Sequence, residues 1–227
     1  MGEVISLEER RRVRVARLGA SAHPDRAEEG DRPEATFFFD LASADTYLAV
    51  ERAEQLFVGL TWRPALSADG VLDARAHHAA VRTATMRAAE LRIPLVWPER
   101  YPAAGRSAMR VAAFAAERGQ ARAFVLAASR LAFCGGFDLD DPEILAEAAA
   151  AAALPLDDCL RAARDRDRDR DLEAAGRELV AAGADQLPVV RVGRRLFCGE
   201  QRLSEAAAAV RDPRLRARAE RADVFTG

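Results

Sequence analysis

Apolar residues near the start of the chain form two short β-type runs with a helical pattern between them. The run Thr36–Leu41 is β-branched and aromatic, which is typical of a buried strand. From Ala44 to Phe57 apolar residues recur every three or four positions, the spacing of an amphipathic helix. Ser43 is a candidate N-cap for this helix, and Leu60–Arg63 is a second short strand. This part of the chain therefore predicts a β-α-β unit.

The next hundred residues or so are predicted to be almost entirely helical. Glycines and prolines divide this block into separate helices. The predicted helices are 75–91, 105–118, 121–133, 143–153 and 157–182. The last of them contains the alternating Arg-Asp repeat at 164–171, with like charges at i,i+4 and opposite charges at i,i+3. We expect this repeat to be a solvated helix or a linker.

The β pattern returns near the C-terminal end. Val189–Val192 is apolar almost throughout, Gly193-Arg194 suits a two-residue hairpin turn, and Arg195–Cys198 follows as a second strand. A last helix is predicted at 201–210. The order is therefore β-α-β, a helical block, and then β-β-α.

Four strands in two distant segments are expected to pair in one sheet. This predicts a single α/β domain over residues 35–227, with a large helical insertion at about 70–183. Residues 1–34 carry many charges and precede the first β signal, so they are predicted to be an N-terminal extension that is partly flexible.

Composition and charge argue against several classes of function. The 227 residues carry 34 basic and 36 acidic side chains, and a net charge of −2 removes the electrostatic argument for a nucleic-acid partner. No lysine occurs and alanine is abundant, a bias typical of a GC-rich bacterial genome. No apolar stretch reaches the roughly 18 residues of a membrane span, and the arginine-rich start is unlike a secretory signal. We therefore expect a cytoplasmic protein with no membrane partner.

Three cysteines lie far apart in a chain that is too large to need disulfides. Cys134 and Cys198 are expected to pack as small hydrophobic residues, and Cys159 falls in a helical pattern. None of them has the surroundings of a reactive nucleophile.

Two positions at the ends of predicted strands are candidates for ligand binding. Ser43 lies where a strand meets a helix, and the N–H groups and dipole of a helix N-terminus favour an anion such as a thiolate. The serine equally suits a simple capping role. Pro188 directly precedes a strand, which holds Leu187 extended with backbone groups available to a ligand. Local sequence alone favours an ordinary trans proline here.

Together with further motifs, these positions resemble a known family. The run FFFDLASADTYLAVERA at 37–53 resembles the first β-α unit of the DsbA-like branch of the thioredoxin superfamily. Within that branch, the resemblance is to 2-hydroxychromene-2-carboxylate isomerases and kappa-class glutathione transferases. The matches continue in order through TWRPAL at 61–66, RIP at 92–94, FCGGFDLDDPEILAEAA at 133–149 and GADQLPVVRVGRRLFCGEQRL at 183–203. The resemblance spans about residues 36–210 and implies a thioredoxin-like fold.

The resemblance implies a thiol-dependent isomerase or transferase. In such family members a serine at the strand-to-helix junction lies beside the glutathione sulfur, so Ser43 is the expected catalytic residue. Leu187 and a cis Pro188 would pair with the backbone of the thiol, and Glu200 and Gln201 would complete the thiol site. The implied cofactor is glutathione or another small thiol, and the implied substrate is a small aromatic keto acid.

This chain also departs from the family pattern. Residues 43–46 contain no cysteine, which excludes dithiol chemistry at the junction and leaves a disulfide oxidoreductase as a family label only. Gln201 stands where relatives carry an aspartate for the γ-glutamyl amino group, and Ala44 stands where they carry proline. The lysine of their substrate region has no counterpart. The alternative hypothesis is therefore a catalytically silent thioredoxin-fold binding or scaffold protein.

Candidate substrate contacts fall at the start of the insertion. Arg75, His77 and Arg82 lie near the positions where relatives contact substrate, and arginine suits a carboxylate. His77 and His78 point about 100° apart on a helix and do not readily share a metal, so we expect no metal site. Dimers are common among the relatives, and the resemblance therefore also allows a homodimer.

Overall fold

A computed structural model describes residues 35–66, 74–98, 100–101 and 105–212, without the side chains of 74–77. The extension predicted at 1–34 lies outside the described residues, as does the beginning of the predicted insertion. Of the substrate candidates, the side chains of Arg75 and His77 also fall outside this description.

A four-stranded sheet with the order β2-β1-β3-β4 forms the centre of the described structure. The strands are β1 (Ala35–Phe39), β2 (Thr61–Pro64), β3 (Val189–Val192) and β4 (Arg195–Cys198). β1 pairs parallel with β2 and antiparallel with β3, and β3 pairs antiparallel with β4. The two distant β segments thus join one sheet, and the predicted α/β domain with a single sheet is confirmed.

Helices surround this sheet. They are α1 (Ala44–Leu56), α2 (Ala74–Leu91), α3 (Arg106–Glu117), α4 (Ala121–Phe133), α5 (Pro142–Ala151), α6 (Leu156–Arg164), α7 (Arg168–Ala181) and α8 (Leu203–Arg211). A short 3-10 helix, Glu200–Arg202, precedes α8. The six helices from α2 to α7 lie between β2 and β3 in the chain and make up the helical insertion.

Side chains that alternate along β1 contribute to two apolar cores. Phe37 and Phe39 belong to the larger core, together with residues of α1, α3, α4 and α8. Phe38 belongs to a smaller core with Ala175 and Leu179 of α7. β1 is buried along its whole length. The chain continues from its end at Phe39 to the start of α1 at Ala44, so the buried strand positions this junction.

The single long helix predicted at 157–182 is wrong, because the structure has two helices with a break at residues 165–167. Arg110 of α3 donates two hydrogen bonds of 2.7 Å to the Asp169 carboxylate and one of 3.0 Å to the Ala163 carbonyl. These bonds hold the end of α6 and the start of α7 against α3. The Arg-Asp repeat is therefore a turn that also contributes a largely buried ion pair, and it is not uniformly solvated.

Candidate functional site

The junction between β1 and α1 carries a serine at the helix N-cap. Ser43 has extended backbone angles, and its hydroxyl oxygen accepts a hydrogen bond from the Thr46 N–H at 3.4 Å. The predicted N-cap is thus confirmed. A hydroxyl that accepts one hydrogen bond still has a proton to donate, so capping and ligand binding are compatible roles. The side chain is only half-buried, which leaves it accessible to a ligand.

One backbone N–H group in the first turn of α1 has no hydrogen-bond acceptor among the described residues. The Thr46 and Tyr47 N–H groups bond to the Ser43 carbonyl, at 3.1 and 3.4 Å. Within the described part of the chain, no hydrogen bond uses the Asp45 N–H. This donor, the Ser43 hydroxyl and the helix dipole together make a position that favours an anion.

The second predicted position lies at the same end of the sheet. The Leu187–Pro188 peptide bond is cis, as the resemblance implies. Phe38 of β1 pairs with Val189 of β3, so the preceding Pro188 lies beside the end of β1 that leads to Ser43. No hydrogen bond among the described residues uses the N–H or carbonyl of Leu187. The backbone of Leu187 is therefore available to pair with a peptide-like ligand.

Glu200 has a different setting from the one expected of a thiol contact. Its side chain is fully buried, and its carboxylate pairs with Arg52 of α1 and accepts a hydrogen bond of 2.6 Å from Nε of Arg87 of α2. Burial, with a smaller effect from the nearby Arg87, lowers the pKa of Arg52. Because both oxygens of Glu200 have arginine partners, this carboxylate joins two helices to the 3-10 helix. Both carboxylate oxygens of Glu200 thus have arginine partners within the fold, and its role as a thiol contact stays a prediction.

Gln201 instead lines an open pocket of about 540 Å³ beside β4. The side chains of Gln186 and Gln201 fill the space next to Gly199, whose φ of +83° is a conformation that favours glycine. The polar lining of the pocket consists of Asp185, Gln186, Arg194, Cys198, Gln201 and Arg202. This pocket contains side chains of both charge signs, so it suits a zwitterionic group, and Gln186 of its lining lies two residues before Pro188.

Acidic groups lie close to the junction. Asp40 is nearly buried, and its carboxylate accepts a hydrogen bond of 2.9 Å from the Ala42 N–H. Burial raises the pKa of the Asp45 carboxyl above its usual value. Burial also raises the pKa of Tyr101, and the negative charges of Asp45 and Asp40 act in the same direction. Both carboxylates oppose a further negative charge at the junction, so a bound anion needs strong hydrogen-bond donors.

No motif in the sequence singles out Tyr101. This residue belongs to the helical insertion, and only the folded chain brings its ring against Phe133 of α4. The available signal was compositional, because Trp97 and Tyr101 are aromatic residues in an otherwise alanine-rich insertion. No motif connects either of them to Ser43.

The remaining sequence candidates are less informative. Arg82 is exposed on α2, and no hydrogen bond or ion pair in the described ranges connects it with Ser43. Cys134 is exposed, so the prediction that it packs as a small hydrophobic residue is wrong. Cys198 is half-buried against the smaller core, as predicted. Burial raises the pKa of the Cys159 and Cys198 thiols, which keeps them protonated at neutral pH.

None of the described helices combines the length and apolarity needed to cross a membrane. No group of three or more histidine, cysteine, aspartate or glutamate side chains in this part of the chain is arranged to hold a metal ion.

The sheet order and the cis proline beside the first helix define a protein with the thioredoxin fold. A family model described as a DSBA-like thioredoxin domain matches residues 35–211. The chain therefore belongs to the DsbA-like thioredoxin family. A search of curated proteins finds no match.

Solved structures agree with this assignment of the fold. A 2-hydroxychromene-2-carboxylate isomerase is similar at 18% identity with a TM-score of 0.65, over 84% of this chain and 98% of the other. A probable DsbA oxidoreductase from Streptomyces coelicolor is similar at 20% identity with a TM-score of 0.63, over 78% and 88%. The cytosolic disulfide reductase DsbM from Pseudomonas aeruginosa, solved with glutathione, is similar at 17% identity with a TM-score of 0.54, over 82% and 97%.

Proposed function

We propose that this protein is a thiol-dependent isomerase or transferase of the 2-hydroxychromene-2-carboxylate isomerase type. The observation that carries the proposal is the Ser43 hydroxyl at the N-terminus of α1, at the same sheet end as the cis Pro188. Residues 43–46 contain no cysteine, so the reactive sulfur must come from a small molecule. The similar fold of a solved isomerase supports this reaction class.

The sulfur of glutathione or another small thiol binds at the first turn of α1. The Ser43 hydroxyl donates to this sulfur, and the Asp45 N–H provides a second donor. The backbone of Leu187 pairs with the peptide backbone of the thiol, as its unused N–H and carbonyl allow. A reductase of similar fold that was solved with glutathione supports the choice of glutathione as a ligand.

The γ-glutamyl end of glutathione occupies the open pocket beside β4. Gln201 carries no charge for the ammonium group, but Asp185 in the same pocket does. Arg194 and Arg202 provide positive charge for the α-carboxylate. Of these two arginines, Arg202 is already paired with Glu205, so Arg194 is the better candidate.

The bound thiolate acts by reversible addition to a conjugated keto acid. A carbon–sulfur bond forms, and the electron pair of the carbon–carbon double bond moves to the carbonyl oxygen as an enolate. Rotation about the resulting single bond follows. The enolate then collapses, the double bond forms again and the thiolate leaves unchanged, so no electrons or atoms are gained or lost. In this scheme Arg75, His77 and Arg82 are the candidates that hold the substrate.

One observation favours the alternative of a catalytically silent binding protein. The carboxylates of Asp40 and Asp45 lie near the junction and disfavour a thiolate there. If the repulsion by these carboxylates exceeds the stabilisation by the hydrogen-bond donors, the protein keeps its binding cleft but does not stabilise a thiolate. A disulfide oxidoreductase needs a reactive cysteine pair, and residues 43–46 do not supply one.

An isomerisation assay tests the proposal. The purified protein is given a hydroxybenzylidene-pyruvate with no thiol, with glutathione or with mycothiol, and the isomer ratio is followed spectroscopically. We expect turnover that requires one of the thiols and falls steeply in Ser43→Ala, while Ser43→Thr, which keeps the hydroxyl, retains more of it. Thiol-independent turnover contradicts the proposal. Binding of a thiol without turnover favours the silent binding protein.

An insulin reduction assay tests whether the protein is a disulfide oxidoreductase. We expect no reduction of insulin disulfides above the uncatalysed rate. Turnover in this assay would support a disulfide oxidoreductase that uses a cysteine outside the junction.

A further inference from the structure

The short segment 199–202, between β4 and α8, links two parts of the proposed thiol site. At its start, the Gly199 N–H donates a hydrogen bond of 2.7 Å to the carbonyl of the cis Pro188. At its end, Gln201 and Arg202 line the open pocket beside β4. The position of this segment therefore determines where the polar side chains of the pocket lie relative to Pro188.

The carboxylate of Glu200, in the middle of the segment, lies inside the protein and is not part of the pocket lining. It is paired with Arg52 of α1 and accepts hydrogen bonds from Arg87 of α2, of 2.6 Å from Nε and 3.3 Å from Nη2. Arg52 also donates to the Glu200 carbonyl at 3.4 Å. Because a 3-10 helix of three residues has few hydrogen bonds of its own, these arginine contacts fix the segment against α1 and α2.

Helix α1 connects this anchor with the proposed sulfur position. Arg52 lies on the helix whose N-cap is Ser43, so the Glu200 carboxylate ties the pocket segment to the element that would receive the sulfur. A glutathione molecule that fills both positions must span the distance between them. This distance is set by α1 and by the pairing of Arg52 with Glu200.

We propose that Glu200 is a positioning residue of the thiol site, which holds Gln201 and Arg202 where the charged end of a thiol bound at Ser43 can reach them. This inference rests on the proposed function, because it takes a small thiol as the ligand. Glu200 acts through the segment that carries it and does not itself contact the ligand. A binding group that its surroundings hold in place raises affinity, because less ordering is needed when the ligand binds.

Two variants weaken the anchor. Glu200→Gln removes the shared negative charge, and Arg87→Met removes one arginine partner while the pair with Arg52 remains. Arg87→Met is the milder change and carries the test if Glu200→Gln does not fold. Thermal unfolding shows which variants are folded.

Two control variants separate positioning from other effects. Glu90→Gln removes the exposed carboxylate that pairs with the same Arg87 and leaves Glu200 in place. Asp169→Asn disrupts another largely buried ion pair and is expected to cost stability. Asp169 lies in the first turn of α7, whereas the pocket residues Ala182 and Gly183 follow the last turn of that helix.

The measurement compares two thiols by calorimetry. N-acetylcysteinylglycine keeps the sulfur and the peptide backbone of glutathione but lacks the ammonium and α-carboxylate groups of the γ-glutamyl end. The ratio of the two Kd values therefore measures the contribution of the pocket. A separate titration follows the ultraviolet absorbance of the bound thiolate against pH and reports on the sulfur position alone.

We expect Glu200→Gln and Arg87→Met to reduce the preference for glutathione over N-acetylcysteinylglycine by about threefold to tenfold, the range that corresponds to one ordinary hydrogen bond. The pH at which the bound thiol ionises should stay as in the wild type, because the donors at the start of α1 are unchanged. Glu90→Gln and Asp169→Asn should keep the wild-type preference.

Other outcomes overturn the inference in distinguishable ways. An unchanged preference in the folded variants, or equal weakening for both thiols, means that Glu200 only supports the fold. Tighter glutathione binding in Arg87→Met means that the Glu200 carboxylate contacts the ammonium group itself. If the wild type binds mycothiol and not glutathione, or binds both test thiols equally, the proposed function stands and this inference is refuted. If the wild type binds no thiol, both are refuted.

Discussion

Asp45 lies in the first turn of helix α1 and Glu200 contacts the same helix through Arg52, but the surroundings of the two carboxylates differ. Glu200 is fully buried with two arginine partners, whereas Asp45 takes part in no ion pair of the described residues, and burial raises its pKa. Asp169 also has an arginine partner, and the hydrogen bond from Arg110 lowers its pKa. Acids with arginine partners hold helices together here, and the acid without one lies beside the candidate site. Perturbed acids of that kind are typical of functional sites.

The largest effect is expected at Glu200. Glu200→Gln leaves Arg52 and Arg87 without their shared carboxylate, and removal of one partner from a buried ion pair typically costs about 3–5 kcal/mol. The free energy of unfolding, measured with urea, should fall by that order. Glu205→Gln is the control, since the exposed pair Arg202–Glu205 should contribute nothing measurable. Equal losses in both variants would show that the buried cluster has no special role.

A smaller loss is expected for Asp169→Asn. The carboxylate shares two hydrogen bonds with Arg110, so its replacement should reduce stability by about 2–3 kcal/mol at neutral pH. Because the pKa of Asp169 is lowered in the folded state, its contribution is present above the ordinary aspartate pKa of about 4 and is lost as the pH falls through the lowered value. Urea denaturation across this pH range should show the two proteins converge at low pH. A difference that does not depend on pH contradicts the ion pair.

Asp45→Asn is expected to act in the opposite direction. The folded-state pKa of Asp45 is raised, so its ionisation costs stability as the pH rises from about 4 through the raised value. Asparagine removes this cost, and thermal unfolding should occur at a higher temperature at neutral pH, with no gain at acidic pH. The same variant should bind a thiolate more tightly, because a like charge has gone from the junction. A destabilised Asp45→Asn would mean that the carboxylate has a favourable partner.

The smallest effect is expected for Ser43→Ala. Loss of an N-cap hydroxyl typically costs about 1 kcal/mol, and the 3.4 Å hydrogen bond to the Thr46 N–H is a long one. Chemical denaturation should therefore show a stable, folded variant. Any large loss of thiol binding in it then reflects the site and not unfolding. A loss of several kcal/mol would show that Ser43 is mainly structural.

The parts of the molecule that depend on local pattern could be predicted from the sequence. Neighbouring residues encode the aromatic run of β1, the apolar spacing of α1 and the cap at Ser43. The order of such elements along the chain therefore predicted the α/β fold. The cis bond before Pro188 followed from resemblance, since local preference alone favours trans.

The contacts between distant segments could not be predicted in this way. Arg110 of α3 binds the Ala163 carbonyl and the Asp169 carboxylate on either side of the break in the predicted long helix, and it lies more than 50 residues before both of them in the sequence. Glu200 meets its arginine partners only when α1 and α2 come together. The Tyr101 ring contacts Phe133 of α4, which stacks on Tyr47 of α1, through tertiary packing of the same kind. A single sequence contains no local pattern that predicts which residues of distant segments come into contact.

Binding of a small thiol tests the central claim most directly. Thermal unfolding of the wild type is followed with glutathione, with mycothiol and with their sulfur-free analogues. A ligand at a hundredfold excess over its Kd stabilises the native state by about 2.7 kcal/mol, which gives a clear upward shift in Tm. We expect at least one thiol to produce this shift, its sulfur-free analogue to produce less, and Ser43→Ala to reduce the difference. If no thiol shifts the Tm, or if the analogues act as strongly as the thiols, the junction is not a thiol site.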